Sequence, residues 1–296
     1  MPPDSARSVN VLTVDVEEYY HGVEFTEALG GDGLARLPSR VVDQTERLLD
    51  LLERYRARAT FFTLGIVAQR HPRLVRTIVE RGHEIASHGW DHTLLPALGP
   101  ERFRRDVRAA KRALEQASGH AVWGYRAPNY SLRRDTPWAL PTLYEEGYAY
   151  DSSVHPIAHD RYGFPDAPRF PHVALESDGV DFWEVPVGTA RFAGVNLPLG
   201  GGFFRLFPLA LLRAAIASVN RREGRPAVLY VHPWELDPDQ PRLPMKRIHR
   251  FRHYVGLERT EVKLAALLSE FTFTPVAAAF GQIRPSPSAL APSAAS

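Results

Sequence analysis

The chain has 296 residues, of which 44% are hydrophobic and 24% are charged, and its formal net charge is +2. This balance is that of a globular protein and excludes a disordered chain, a collagen-like repeat and a coiled coil. The net charge is too small to indicate a nucleic-acid partner. With no cysteine and 12 histidines, the chain can bind a metal through imidazole and carboxylate groups but not through thiolates.

Short apolar runs alternate with helical patterns along the chain. Residues 9–14 form a continuous apolar run, as expected of a strand that is buried on both faces, and Ser39 can cap the helix that follows. Strands are expected at 9–14, 59–64, 83–87, 122–125, 148–150, 182–187, 227–231 and 271–274. Helices are expected at 39–55, 71–81, 100–117, 136–146, 208–222 and 258–270. Strands that alternate with helices predict an α/β fold with a parallel sheet.

About seven such units follow one another without a linker-like break, so we predict a single barrel-type domain over residues 1–283. The segment at about 156–181 is rich in Pro, His and Asp and is expected to be a decorating loop. Residues 284–296 are of low complexity and are expected to be a disordered tail. No segment is long and apolar enough to be a secretory signal or a transmembrane helix. We therefore expect a cytoplasmic protein.

Ionisable side chains follow five of the predicted strands. They are Asp15, His88, Arg126, Asp151 and His232. In α/β barrels the loops at the carboxyl ends of the strands build the active site. Five such groups at one end of the predicted barrel indicate a catalytic site.

Two of the histidines have the spacing of metal ligands. His88 and His92 lie four residues apart in S-H-G-W-D-H, which can direct both imidazoles at one ion. The first strand ends with Asp15, Glu17 and Glu18, which offer carboxylates for a third ligand. Two imidazoles and one carboxylate leave coordination positions open, as is typical of a catalytic metal site.

Five motifs occur in the order in which the polysaccharide deacetylases carry them. They are T-V-D-V-E-E at 13–18, S-H-G-W-D-H at 87–92, Y-R-A-P-N-Y at 125–130, Y-D-S-S at 150–153 and V-L-Y-V-H-P-W-E at 228–235. From about residue 9 to residue 235 the chain resembles this family, which is also called the NodB-homology family or the family-four carbohydrate esterases. The HPWE form and R-x-x-H-Y-x-G-L at 250–257 resemble its exosortase-associated subclass, which is linked to exopolysaccharide gene clusters.

The resemblance implies a distorted parallel (β/α) barrel of about seven strands, a divalent metal, and hydrolysis of N-acetyl groups from a glycan. Asp15 matches the general base that acts on the metal-bound water, and Arg126 matches the arginine that orients this base. His232 matches the acid that protonates the leaving amine. Asp151 matches the acidic residue that pairs with this histidine.

The metal ligands implied by the resemblance are His88, His92 and one carboxylate. The common motif has two adjacent aspartates, of which the second binds the metal, but Val16 stands at that position here. Relatives of the D-x-D type place the ligand two residues after the base, which points to Glu17, since alternate residues of an extended chain share a face. Glu18 stays open as the alternative.

The resemblance also implies the substrate side of the site. The main-chain N–H of Asn129 matches the group that holds the oxyanion, and Tyr130 and Trp234 are expected to contact the substrate. We predict an N-deacetylase with one divalent ion, zinc or else cobalt or nickel, that acts on a bacterial exopolysaccharide or its precursor. A polysaccharide or oligosaccharide is thus the expected partner. Two alternatives stay open: an allantoinase-like cyclic-amide hydrolase, and a catalytically silent glycan-binding barrel, because Val16 breaks the common metal motif.

Overall fold

A computed structural model describes residues 8–22, 25, 29–30, 33–34, 36–177 and 179–283. The tail predicted at 284–296 lies outside these residues. The chain divides into two units. Unit 1 combines residues 1–60 with 188–279, and unit 2 combines residues 61–187 with 280–296.

Strands and helices alternate as predicted. The strands are β1 (Val9–Val16), β2 (Thr60–Thr63), β3 (Glu84–Ser87), β4 (Gly124–Tyr125), β5 (Tyr150–Asp151), β6 (His172–Ser177), β7 (Val180–Glu184), β8 (Thr189–Phe192), β9 (Val195–Pro198), β10 (Val228–Val231) and β11 (Thr272–Thr274). The helices are α1 (Val41–Arg54), α2 (Gly65–Arg70), α3 (Pro72–Glu80), α4 (Leu95–Ser118), α5 (Ala139–Glu145), α6 (Gly201–Leu206), α7 (Leu209–Arg222), α8 (Arg247–Tyr254), α9 (Leu257–Glu270) and α10 (Val276–Ala279). Short 3-10 turns span Pro128–Tyr130 and Pro233–Leu236. Every predicted strand and helix overlaps an observed one.

The sheet of unit 1 is built around β1. This strand pairs in parallel with β10 and with β11, and every residue after Val9 is buried. A strand that has parallel neighbours and is buried on both faces has a continuous apolar sequence, which is the pattern of residues 9–14. Val14 is in register with Val231, so Asp15 and His232 follow at the same edge of the sheet.

The sheet of unit 2 contains β3, β4, β5 and β7 in parallel, with β6 antiparallel to β7. Its register aligns the carboxyl ends of the parallel strands, because Ser87 pairs with Tyr125, Tyr125 with Asp151, and Asp151 with Glu184. The residues after β3 and β4, which are His88 and Arg126, therefore leave the sheet at one edge.

Some strands were not expected from the sequence. β6 lies inside the segment predicted as a loop, and none of its residues is fully buried, so no apolar run marks it. The hairpin of β8 and β9 turns at Ala193 and Gly194, whose φ angles are 47° and 83°. Two positive φ angles allow a tight hairpin turn, but Ala-Gly is a weaker signal than Asn-Gly. No helix in the described part of the chain could span a bilayer.

Candidate active site

Three buried carboxylates of unit 1 lie at the end of β1 and directly after it, those of Asp15, Glu17 and Glu18. Glu18 is engaged at the start of α1, where Oε1 accepts the Ser39 hydroxyl and Oε2 accepts the Arg40 N–H at 3.0 Å. Ser39 was predicted to cap α1 with its own side chain, and this is wrong, since it donates to Glu18 and makes no cap bond. A carboxylate at a helix N-terminus is favourable, so Glu18 already has a structural partner and Glu17 is the stronger candidate for a metal ligand.

The Glu17 carboxylate is oriented by an indole. Trp234 Nε1 donates to Glu17 Oε1 at 3.2 Å, and the indole ring stacks between the rings of His232 and His253, with centroid distances of 5.0 and 4.5 Å. Trp234 was expected to contact the substrate. The structure shows Trp234 buried and in contact with Glu17 and His232, and its contact with the substrate stays a prediction.

His232 lies between acidic groups. Its Nε2 is 3.8 Å from Asp15 Oδ2 and 3.7 Å from Glu17 Oε1, and its Nδ1 is 3.5 Å from Glu235 Oε2. Burial disfavours the charged ring, but the charges of Glu235, Glu17 and Asp15 outweigh this effect and raise the pKa of His232 to about 9. These acidic neighbours favour the protonated ring, which is the form that a general acid needs.

Glu235 is a partner of His232 that the sequence analysis missed. It is completely buried, and its Oε1 accepts a hydrogen bond from Arg205 Nε at 2.8 Å. Burial alone would raise the pKa of this carboxyl, but the positive charges of Arg205 and His232 lower it to about 2. The sequence H-P-W-E does contain a signal for Glu235. An acidic residue three positions after the first residue of a turn can accept a hydrogen bond from the main-chain N–H of that first residue. Arg205 carries no such signal.

In unit 2 the two metal-ligand candidates are placed by an unusual backbone. His88 and His92 are buried, and their ring centroids lie 5.5 Å apart. Gly89 and His92 have φ angles of 77° and 70°, which turn the chain back between the two rings. His88 Nδ1 lies 2.9 Å from the Arg126 main-chain oxygen. When Nδ1 donates a hydrogen bond to this oxygen, Nε2 carries the free lone pair, as in a metal-binding histidine.

Asp106 of α4 supports this turn. Its Oδ1 accepts the Trp90 N–H at 3.1 Å, and a Cβ atom at position 89 would lie 3.2 Å from the same oxygen. Glycine suits position 89 because of its positive φ, and a Cβ atom there would be tightly packed against the Asp106 carboxylate. Burial raises the pKa of Asp106 to about 7, although the Trp90 N–H lowers it in part.

Arg126 is completely buried and held by the loop after β5. Its Nε donates to the Ser152 main-chain oxygen at 3.1 Å and its Nη2 to Ser152 Oγ at 2.8 Å. The guanidinium also lies over the ring of Phe62, 4.2 Å from its centroid. These contacts fix its plane, which is what a group that orients a carboxylate requires.

The side chain of Asp151 is bound within its own loop, and its main chain pairs with that of Glu184 in the sheet. It accepts the Ser153 N–H at 3.1 Å and the Ser153 hydroxyl at 2.6 Å, and that hydroxyl in turn accepts the Ala127 N–H at 2.8 Å. Burial raises the pKa of both Asp151 and Glu184, and the charge of Asp151 raises that of Glu184 further. The pairing of Asp151 with His232 stays a prediction. Within unit 1, the carboxylate that faces Nδ1 of His232 belongs to Glu235.

Asn129 and Tyr130 follow Arg126 in a 3-10 turn. Both residues have positive φ angles, 50° and 52°, and the Tyr130 N–H closes the turn on the Ala127 oxygen at 3.0 Å. Left-handed backbone at non-glycine residues is costly and concentrates at functional sites. The Tyr130 ring lies over the guanidinium of Arg126, at 5.7 Å.

Two domain families match this sequence. Residues 32–143 match "Polysaccharide deacetylase", and residues 152–281 match a domain of unknown function, DUF3473. The polysaccharide deacetylase model covers less than half of the chain. Its match includes the two histidines and Arg126, whereas His232, Glu235 and Arg205 lie in the DUF3473 match.

Curated relatives match part of this chain over part of their own length. The chain is 41% identical over 112 residues to "Chitooligosaccharide deacetylase" of Sinorhizobium fredii. This match covers 38% of this chain and 49% of the relative. The chain is also 38% identical over 72 residues to "Peptidoglycan-N-acetylglucosamine deacetylase" of Bacillus cereus. That match covers 24% of this chain and 34% of the relative. The chain thus spans about half, or less, of these relatives.

A solved structure matches nearly the whole chain. A crystal structure from Mycobacterium smegmatis, described as a polysaccharide deacetylase, superimposes with a TM-score of 0.59 and 23% identity, over 96% of this chain and 92% of that chain. The predicted fold class, an α/β fold with a parallel sheet of the deacetylase type, is therefore confirmed.

Proposed function

We propose that this protein is a metal-dependent N-deacetylase that removes acetyl groups from a bacterial polysaccharide. The observation that carries the proposal is the placement of His232, whose Nε2 lies 3.8 Å from the carboxylate of Asp15 and 3.7 Å from that of Glu17. An acid next to a base is what amide hydrolysis needs, since water must lose a proton and the amine must gain one. The relatives named as deacetylases favour this reaction over an allantoinase-like one.

We assign the divalent cation to Glu17, His88 and His92. Each offers a ligand atom of a type that such ions bind, and all three side chains are buried. The Arg126 carbonyl places the lone pair of His88 on Nε2, and Trp234 orients Glu17, so the supporting contacts suit a metal site. A zinc ion bound there would lower the pKa of a water molecule and polarise the acetyl carbonyl.

The remaining residues move protons and hold charge. Asp15 accepts a proton from the attacking water, and Arg126 orients Asp15. The main-chain N–H of Asn129 donates to the oxyanion. His232 then gives the proton on Nε2 to the departing nitrogen as the amide C–N bond breaks, which yields acetate and a free amine on the sugar.

The finer substrate assignment is an exopolysaccharide or its precursor. It is supported by the HPWE and R-x-x-H-Y-x-G-L motifs, which resemble the exosortase-associated subclass. The histidine and the tyrosine of the second motif, His253 and Tyr254, are buried. His253 stacks on Trp234, so this motif supports the position of Glu17.

Acetate release tests the proposal directly. Zinc-loaded protein is expected to release acetate from N-acetyl chitooligosaccharides or from polysaccharide of the producing cells, to lose this activity when the metal is stripped, and to leave allantoin intact. Stripped protein reloaded with zinc is the matched control. Oligosaccharide binding that survives metal removal, without acetate release under any condition, would instead support a silent glycan-binding barrel.

A further inference from the structure

The contacts behind His232 show how its ring is held. Glu235 lies three residues after it and is completely buried. Glu235 Oε2 accepts the His232 main-chain N–H at 3.0 Å and lies 3.5 Å from His232 Nδ1. One carboxylate oxygen therefore contacts both the main chain and the ring of the same histidine, which restricts rotation of the ring.

This contact also determines which ring nitrogen can deliver a proton. A carboxylate 3.5 Å from Nδ1 favours a proton on that nitrogen and leaves Nε2 to lose and regain one. Nε2 is the nitrogen that faces Asp15 and Glu17. The ring is thus oriented with its transferable proton on the side of the proposed base.

Glu235 is in turn fixed by Arg205. Arg205 Nε donates to Glu235 Oε1 at 2.8 Å. The other nitrogens of the guanidinium donate to main-chain oxygens at the end of α8, those of Arg252 at 3.0 Å, Val255 at 3.2 Å and His253. Because a guanidinium is a rigid planar fork, these bonds leave it one orientation.

The backbone around Arg205 is adapted to this arrangement. Gly256 follows α8 with a φ angle of 71°, and a Cβ atom there would lie 2.5 Å from the Arg205 main-chain oxygen. Only glycine allows the chain to pass so close to α6. The carbonyls that bind the guanidinium belong to this same stretch of chain.

We propose that Glu235 and Arg205 form a positioning pair for His232, a role for which the sequence pointed to Asp151. This inference rests on the proposed N-deacetylation. Glu235 sets the orientation and tautomer of the ring, and Arg205 holds Glu235 in place.

Two substrates with different leaving groups test the pair. The amine of an N-acetyl chitooligosaccharide needs a proton to depart, whereas the phenolate of 4-nitrophenyl acetate does not. Glu235→Gln keeps the shape of the side chain and removes its charge. We expect its kcat on the amide to fall at least about 10-fold with KM unchanged, while its rate on the ester stays near that of the native protein. Arg205→Gln is expected to change the ratio of the two rates in the same direction.

Glu270→Gln is the matched control, because it removes a carboxylate from another Arg–Glu pair, with Arg213, in the same unit. Its ratio of amide to ester rates should equal that of the native protein. Equal losses on both substrates in folded Glu235→Gln, or no loss at all, would overturn the positioning pair alone. If the native zinc-loaded protein releases acetate from no acetylated glycan, the proposed function fails and the role of the pair fails with it.

Discussion

The two units position their functional side chains by different means. In unit 1, charged side chains hold one another, from Arg205 through Glu235 to His232. In unit 2, the backbone does most of the positioning, with left-handed residues at Gly89, His92 and in the turn at Pro128–Tyr130. We expect substitutions in unit 1 to change proton transfer, and substitutions in unit 2 to change the geometry of ligands and their supports.

The largest effect is expected in unit 1, from His232→Ala. Loss of the general acid should lower kcat for acetate release by about 10²- to 10⁴-fold, with little change in thermal stability because Arg205 still neutralises Glu235. Steady-state kinetics on a chitooligosaccharide and a melting curve measure both effects. His249→Ala, a change of another histidine in the same unit, is the control. A variant with native kcat would contradict the assignment of the acid.

Arg126→Lys probes the geometry of unit 2. The ammonium group cannot reproduce the planar contacts to the Ser152 oxygen and hydroxyl, so we expect a loss of activity of about 10-fold or more and a lower melting temperature. Arg104→Lys, which changes a surface ion pair of the same unit, should do neither. Full activity in Arg126→Lys would show that charge alone suffices there.

The smallest effect is a pH-dependent one, from Asp106→Asn. The folded state raises the pKa of Asp106 from 3.8 to about 7, so folding favours the protonated form and stability is lost as the pH rises through this range. The side-chain amide introduced at position 106 mimics the protonated carboxyl group, and its oxygen can still accept a hydrogen bond from the Trp90 N–H. The variant should therefore gain about 1–3 kcal/mol above pH 7 and nothing near pH 4. Melting curves across pH measure this, and a gain that does not vary with pH would contradict it.

The positions of the site residues could be predicted because parallel strands end at one edge. In unit 1, Asp15 lies near the end of β1 and His232 follows the neighbouring strand β10, and in unit 2 His88 and Arg126 follow neighbouring strands. Short motifs at strand ends are visible in a sequence, and the resemblance to deacetylases depends on them. The sequence left both Glu17 and Glu18 as candidates for the third metal ligand. Glu17 is the stronger candidate because the Glu18 carboxylate already accepts hydrogen bonds at the start of α1.

The supporting contacts could not be predicted, because they join residues far apart in the chain. Arg205 reaches Glu235 across 30 positions, and Asp106 reaches Trp90 across 16. Neither contact leaves a local pattern. β6 was also missed, since a strand without a fully buried residue has no apolar run.

The central claim is that Glu17, His88 and His92 serve one catalytic cation, and metal content tests it most directly. Elemental analysis of the native protein should find about one divalent ion per chain. His88→Ala and Glu17→Gln should each lose the ion together with acetate release, whereas His249→Ala should keep both. An unchanged metal content in His88→Ala and Glu17→Gln would contradict the claim.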